Sequence, residues 1–263
     1  MSALTKFLLD GMDWSFSRVR SYEQCPKQFD KVYMKAGPKA GNAFAEWGSW
    51  CHELLERYYK GELEIWELSS AYYNGYAEHV RCSFPLFNKK VDMDERYFVA
   101  GAKYFENFED VFGGCEVVAV EQQVRLEIAG RPFIGYIDLV LRDKDGSYII
   151  CDHKSKSKFK SKTELTAYLR QLYLYSIYVK DRYGVYPKWL VFNMFRAHTV
   201  VRKPFKREAL QEAIQWFMTT IDRIYEDETY AASPDQFYCD NLCDVRESCV
   251  YSKEYEGGDD DAG

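Results

Sequence analysis

"GYIDLVLRDKDGSYIICDHKSKSK", Gly135 to Lys158, holds two apolar runs joined by a turn ending in Asp-Gly, the pattern of a β-hairpin. Asp138 falls in the first strand, Asp152 and Lys154 in the second. Residues two apart on a strand share a face, so Asp152 and Lys154 project the same way, and Asp138 can lie beside them on the neighbouring strand. Any one of these groups reads as a turn or surface residue. Two carboxylates and an ammonium among Leu139, Leu141, Ile149 and Ile150 need a further reason. Hard oxygen ligands held together suit Mg2+ or Mn2+, ions that activate water and neutralise charge on a phosphate. A lysine beside such an ion orients or deprotonates the water, or stabilises the transition state.

Working outward, 263 residues at 47% hydrophobic can bury one large core. The expectation is a single domain over residues 1–253 and an acidic, disordered tail over 254–263. The opening "MSALTKFLLDGMDWSF" lacks a basic stretch followed by a long apolar one, and no run of about 18 apolar residues follows anywhere. Neither a secretory signal nor a membrane span is expected, and the chain reads as cytoplasmic, in a bacterial or phage-infected cell. A reducing compartment then makes the eight cysteines thiols that are buried, catalytic or metal-bound rather than a disulfide framework.

The net charge of −6, from 35 basic and 41 acidic residues, argues at first against a nucleic-acid partner. The last ten residues, however, hold five acids and no base, so the rest of the chain is nearly neutral. Cys151 to Arg170 carries six Lys/Arg against two acids. Such a run also suits a solvated strand edge protected from pairing.

Periodicity outlines the elements. Ser17 can cap a short helix ending near Cys25, and Pro26 suits the first turn of the next. Phe44 to Lys60 is amphipathic and closed by Gly61, and further helices are expected at Glu62–Val80 and Asp92–Phe112. Three strands, "CEVVAVEQQVRLEI", "RPFIGYIDLVLR" and "SYIICDHKS", follow, then helix Thr163–Arg182, strands Trp189–Phe195 and His198–Phe205, and helix Lys206–Asp227. The order is an α/β arrangement, α-βββ-α-β, with helical insertions and a cysteine-bearing end.

These residues resemble the PD-(D/E)XK nucleases, specifically the RecB-like branch. Asp138 in "GYID" stands for the first aspartate of that pattern, and "DHK" for its D/E-x-K. "GSWCHELLE" looks like the upstream helix motif, "QLYLY" matches the Q-x-x-x-Y motif, and Glu121 in "AVEQQV" matches an acid of the first strand. The resemblance implies a restriction-endonuclease-like core and the role of each group. His52, Asp138, Asp152 and the His153 backbone carbonyl would be metal ligands, with Asp138, Asp152, Lys154 and Glu121 catalytic. Gln171 and Tyr175, at i and i+4 on one helix face, would contact the nucleic acid. Lys156, Lys158, Lys160 and Lys162 extend that contact as a cationic lead-in suited to a single strand entering from an end. Taken alone, His52 fits a core histidine, Gln171 and Tyr175 fit packing residues, and Glu121 fits a strand's solvent face.

The cysteines fall into two groups. Cys51, Cys82, Cys115 and Cys151 sit in apolar stretches and read as core. Cys25, Cys239, Cys243 and Cys249 resemble the iron–sulfur staple of the AddB and CRISPR-adaptation members, in which a 4Fe-4S cluster ties N-terminal helices, here 15–35, to a C-terminal segment, here 228–250. Structural Zn2+ is the competing reading. Altogether the sequence points to an Mg/Mn-dependent DNA exonuclease acting in recombination, repair, or phage or CRISPR DNA processing. A non-catalytic DNA-binding subunit or a structure-specific endonuclease of the same fold remains the alternative. There is no G-x-x-x-x-G-K-[ST] motif, so any unwinding would come from a helicase or recombination partner.

Overall fold

The computed structural model describes residues 2–86 and 91–255. The expected acidic tail lies, from residue 256 onward, outside the described residues.

Five strands form one sheet in the order β1–β5: β1 (Glu116–Ile128), β2 (Arg131–Arg142), β3 (Tyr148–His153), β4 (Trp189–Met194) and β5 (Thr199–Pro204). The first three form an antiparallel meander. Ala129 and Gly130 both take positive φ (49° and 81°), the backbone that matches a tight hairpin turn to strand twist. β4 runs parallel to β3, which requires a crossover, and β5 returns antiparallel. The expected α-βββ-α-β order is therefore the observed one.

The crossover is the helix α7 (Lys162–Tyr183), capped by Ser161 and ended by Gly184 at φ 81°. It packs with α8 (Arg207–Glu226) against one sheet face, burying Val140, Ile150, Leu190 and Phe192. The same core takes up the N-terminal elements. These are α1 (Ala3–Asp10), α2 (Phe16–Gln24) and α3 (Pro26–Phe29), the last continuing as a π-helical turn over Asp30–Met34. Trp14, Phe16, Val19 and Phe29 are their buried contribution.

On the other face Tyr59 meets Leu139, Leu141, Ile149, Cys151 and Val191. Tyr59 ends α4 (Ala43–Tyr59), which Asn42 caps by accepting the N–H groups of Phe44 and Ala45. α4 packs with α5 (Leu68–His79) and α6 (Met93–Glu106) through an aromatic core of Trp47, Trp50, Tyr72, Tyr97 and Phe105. Burying each such ring contributes about 2–3 kcal/mol, so α4 is held firmly over the sheet.

Several expected boundaries shift for local reasons. Ser15, not Ser17, caps α2, its Oγ accepting from Arg18 N at 3.2 Å. α5 begins at Leu68 because Gly61 (φ 73°) turns the chain first and Glu67 then accepts from Glu64 N. α6 stops at Glu106, and Asp110 holds the following turn by accepting from Tyr59 Oη and Phe112 N. Cys82 and Cys115 are only half-buried, in contrast to Cys51 and Cys151. The Cys82 thiol donates to Glu46, so it is a loop contact rather than core. α1 occupies a stretch in which no element was expected. Among the described residues no helix is long and apolar enough to cross a membrane.

Candidate active site

The carboxylates meet where both hairpin strands change phase. In β2, Ile137 belongs to the core under α7 and α8, whereas Leu139, two residues on, belongs to the opposite one. In β1 the same switch separates Val124 from Val120. Glu121 lies at the break with φ 49°, a left-handed conformation that is strained for a residue with a long side chain. Pairing between β2 and β3 stops at Leu139 and Cys151. The N–H next in line, that of His153, donates instead to Asp138 Oδ2 at 2.6 Å. The strands therefore open at Asp138, and Glu121, Asp138 and Asp152 line a cavity of about 590 Å³ under α4.

His52 reaches this cavity from α4. Its Nε2 lies 2.6 Å from the His153 carbonyl oxygen, which only accepts, so Nε2 carries the proton. Burial lowers the His52 pKa and keeps the ring neutral. Nδ1 therefore turns a lone pair toward Asp138 Oδ2, 3.6 Å away. One ligand atom each from His52, Glu121 and Asp138 lie within 4.8 Å of one another, a spacing a cation can bridge. The His153 carbonyl, expected as a ligand, is here the acceptor that fixes the His52 tautomer, the supporting contact that metal-binding histidines commonly have.

Asp152 and Lys154 complete the group from β3 and its continuation. Lys154 Nζ pairs with the buried Asp152 Oδ2 at 2.7 Å. Burial pulls the Lys154 ammonium pKa down, but Asp152 and Asp138 together more than offset that, leaving it raised and the lysine charged. Asp138 is raised well above the usual carboxylate range by burial and then by Asp152. Glu121 is pushed up to about 7 by burial, with Asp138 and Glu56 adding to it. Glu121, Asp138 and Asp152 face one ammonium, so the site is short of positive charge. The donor set, carboxylate oxygens with one imidazole nitrogen, can hold a divalent cation.

The remaining expected residues are distributed unevenly. Gln171 Oε1 accepts from Lys154 Nζ at 3.2 Å and its Nε2 donates to Tyr175 Oη at 3.2 Å. Tyr175 is 5% exposed, its ring pressed on Gly135, where an added Cβ would sit 2.5 Å from it. It holds Gln171 rather than reaching the surface, and Gly135 is glycine because of it. Lys156 is paired with Glu164 at 2.7 Å. The Lys160 backbone N–H also donates to Glu164. Lys158 and Lys162 line a separate, largely apolar hollow with Phe159, Leu165, Met194 and Val201.

Glu53 and Glu56 on α4 also line the cavity, which sequence reasoning missed. The signal was available for Glu56, four residues after His52 and so on the same helix face. The buried His153 ring is held by Asn193, whose Nδ2 donates to its Nδ1 at 3.0 Å and to Tyr104 Oη.

The four cysteines set apart by position come together. Cys239 lies on α9 (Gln236–Asn241), Cys243 and Cys249 follow it, and Cys25 precedes α3. Burial raises the Cys243 thiol to about 12, with Cys249, Cys25 and Cys239 adding to it, and burial likewise raises Cys239. Hydrogen bonds tie the surrounding segments: Tyr238 Oη to Gln28, Lys31 Nζ to the Ser248 carbonyl, and Ala40 N to the Asp244 carbonyl. Cys239, Cys243 and Cys249 are buried and Cys25 is half-buried, and none of the four is in a disulfide.

A mixed five-stranded sheet that opens at two acids beside a lysine, under a helix carrying histidine, defines a nuclease-type carboxylate site. A family model described as the PD-(D/E)XK nuclease superfamily matches residues 13–250, and the chain belongs to that superfamily. Among solved structures it is similar to a protein of Eubacterium rectale provisionally designated an exonuclease. That similarity has a TM-score of 0.51 at 15% identity and covers 92% of this chain and 89% of that one. It supports the fold. A second structure, SSO0001, aligns over 94% of both chains at 13% identity with a TM-score of 0.40. No curated protein matches the sequence.

Proposed function

We propose that this chain is an Mg2+- or Mn2+-dependent deoxyribonuclease that degrades DNA from free ends, with a preference for single strands, during recombination, repair, or phage or CRISPR DNA processing. The observation that carries the reading is the convergence of His52, Glu121 and Asp138 within 4.8 Å, beside the buried Asp152–Lys154 pair. His52 Nδ1, Glu121 and Asp138, with Asp152, would hold the ion. When bound, it would supply a polarised phosphate oxygen and an activated water. Lys154, kept as an ammonium by its two carboxylates, would stabilise negative charge growing on the phosphate rather than remove a proton. Gln171 orients Lys154, and Tyr175 fixes Gln171.

In the same reading Cys25, Cys239, Cys243 and Cys249 hold a 4Fe-4S cluster that closes residues 1–253 into one nuclease domain. The cluster is structural, since the thiols stand apart from the carboxylate cavity.

The test is end-labelled linear and covalently closed DNA, single- and double-stranded, incubated with Mg2+, Mn2+ or chelator. Metal-dependent loss of linear strands alone supports an exonuclease. Equal cutting of closed circles makes it an endonuclease, and binding without cleavage makes it a scaffold subunit.

A further inference from the structure

A second hollow of about 400 Å³ opens on the far side of Lys154 and Gln171, the two residues it shares with the carboxylate cavity. Its wall is a polar stripe of α2. Ser17, Arg20, Ser21 and Gln24 fall at i, i+3, i+4 and i+7, while Val19 and Tyr22 hold the helix in the core from the other side. Hydrophobic periodicity explains the buried face of "SFSRVRSYEQ" but not this one.

Tyr168 collects positive charge at the boundary of the two cavities. Arg20, Lys156 and Lys154 lie 4.7, 5.0 and 5.5 Å from its ring centre. Lys154 is paired with Asp152 and Lys156 with Glu164. Arg20 has no carboxylate within ion-pair distance among the described residues. Nearby, the Ser21 Oγ is shielded from solvent and lacks a hydrogen-bond partner. Arg18 and Lys39 stand 5.5 and 5.8 Å from the ring centre of Tyr33, which also lines the hollow, and among the described residues neither has a carboxylate within ion-pair distance. Asp244 is the one acid in its lining.

We infer that this hollow is a phosphate-binding subsite, in which Arg20 receives the backbone phosphate of the nucleotide next to the scissile bond and the strand passes over Lys154 and Gln171 from one cavity to the other. The inference rests on the nuclease reading. The guanidinium is preorganised by its stacking on Tyr168, its charge is unspent, and its fork matches phosphate oxygens. The path differs from one along Lys156 to Lys162, two of which face another hollow and one of which is paired.

The experiment is fluorescence anisotropy of a short labelled single strand against wild type, Arg20→Ala and Arg20→Lys, in chelator so that no cleavage occurs, over a series of salt concentrations. Arg20→Ala should raise Kd about tenfold, equally for oligonucleotides of different sequence, and flatten the log–log salt dependence by about one counterion. Arg20→Lys should regain most of the salt slope but not all of the affinity. Unaltered melting temperatures show that the fold is intact. Kd and salt slope unchanged in Arg20→Ala would overturn the subsite, while a wild type that binds DNA but never degrades it with Mg2+ or Mn2+ would overturn the nuclease reading instead.

Discussion

His52 Nδ1 faces Asp138 Oδ2 across 3.6 Å, acceptor to acceptor, because the other imidazole nitrogen is committed to the His153 carbonyl. Two lone pairs oriented together in a buried site repel unless a proton or a cation lies between them, and the raised pKa of Asp138 expresses the first case. His52→Ala should therefore weaken Mn2+ binding, measured by calorimetry, at least tenfold, on the order of the loss seen when metal-site contacts are removed. Excess Mn2+ should restore part of the cleavage rate. Affinity equal to wild type would return His52 to a purely structural role.

The Asp152–Lys154 pair makes a different prediction, because both charges are largely out of water. Asp152→Asn or Lys154→Met should each abolish cleavage. In chelator, Lys154→Met should also cost about 3–5 kcal/mol of stability in urea melts, since it strands a buried carboxylate. The double variant Asp152→Asn/Lys154→Met should regain most of that stability while staying inactive. Additive losses in the double variant would show that the two side chains are not coupled.

Glu121 sets a pH dependence for the metal-free protein. Its pKa rises from 4.5 to about 7 on folding, first through burial and then through Asp138 and Glu56. Between those values the native state binds more protons than the unfolded chain, so stability falls as pH increases through the window. Glu121→Gln removes this ionisation. In chelator the variant should melt above wild type near neutral pH, with the difference vanishing at and below about pH 4.5. A constant offset at every pH would mean that Glu121 does not titrate in this range.

The cysteine patch predicts colour and stability together. Protein purified without oxygen should be brown from thiolate–iron absorption, and Cys243→Ser should be colourless with a melting temperature lower by about 5 °C or more. A cluster held by Cys25 and the three C-terminal cysteines would join residues more than two hundred positions apart, so its loss would release a large loop in the unfolded chain. Colourless wild type containing one zinc per chain would replace the iron–sulfur assignment, and equal melting of wild type and Cys243→Ser would remove any metal from the patch.

Alternation and turn chemistry suffice to find β1, β2 and β3, since apolar residues every second position and turns at Ala129-Gly130 and Asp145-Gly146 are local signals. Helical spacing likewise delivers α4, α7 and α8 to within a residue or two at each end. Asp138, Asp152, Lys154 and His52 were legible as a group because their spacing matches a known motif set, not because periodicity required charges there. Local patterns carry no information on pairing across the fold. Only the tertiary structure decided that both strands change phase at Glu121 and Asp138, turning a strand acid into part of the candidate metal site. It alone placed Tyr175 in the core behind Gln171, and it divided the lysine run between a salt bridge and a separate hollow. Those outcomes depend on which segment, distant in sequence, packs against each side chain. A chain written in one dimension specifies such contacts only through the sum of all its burial and pairing energies.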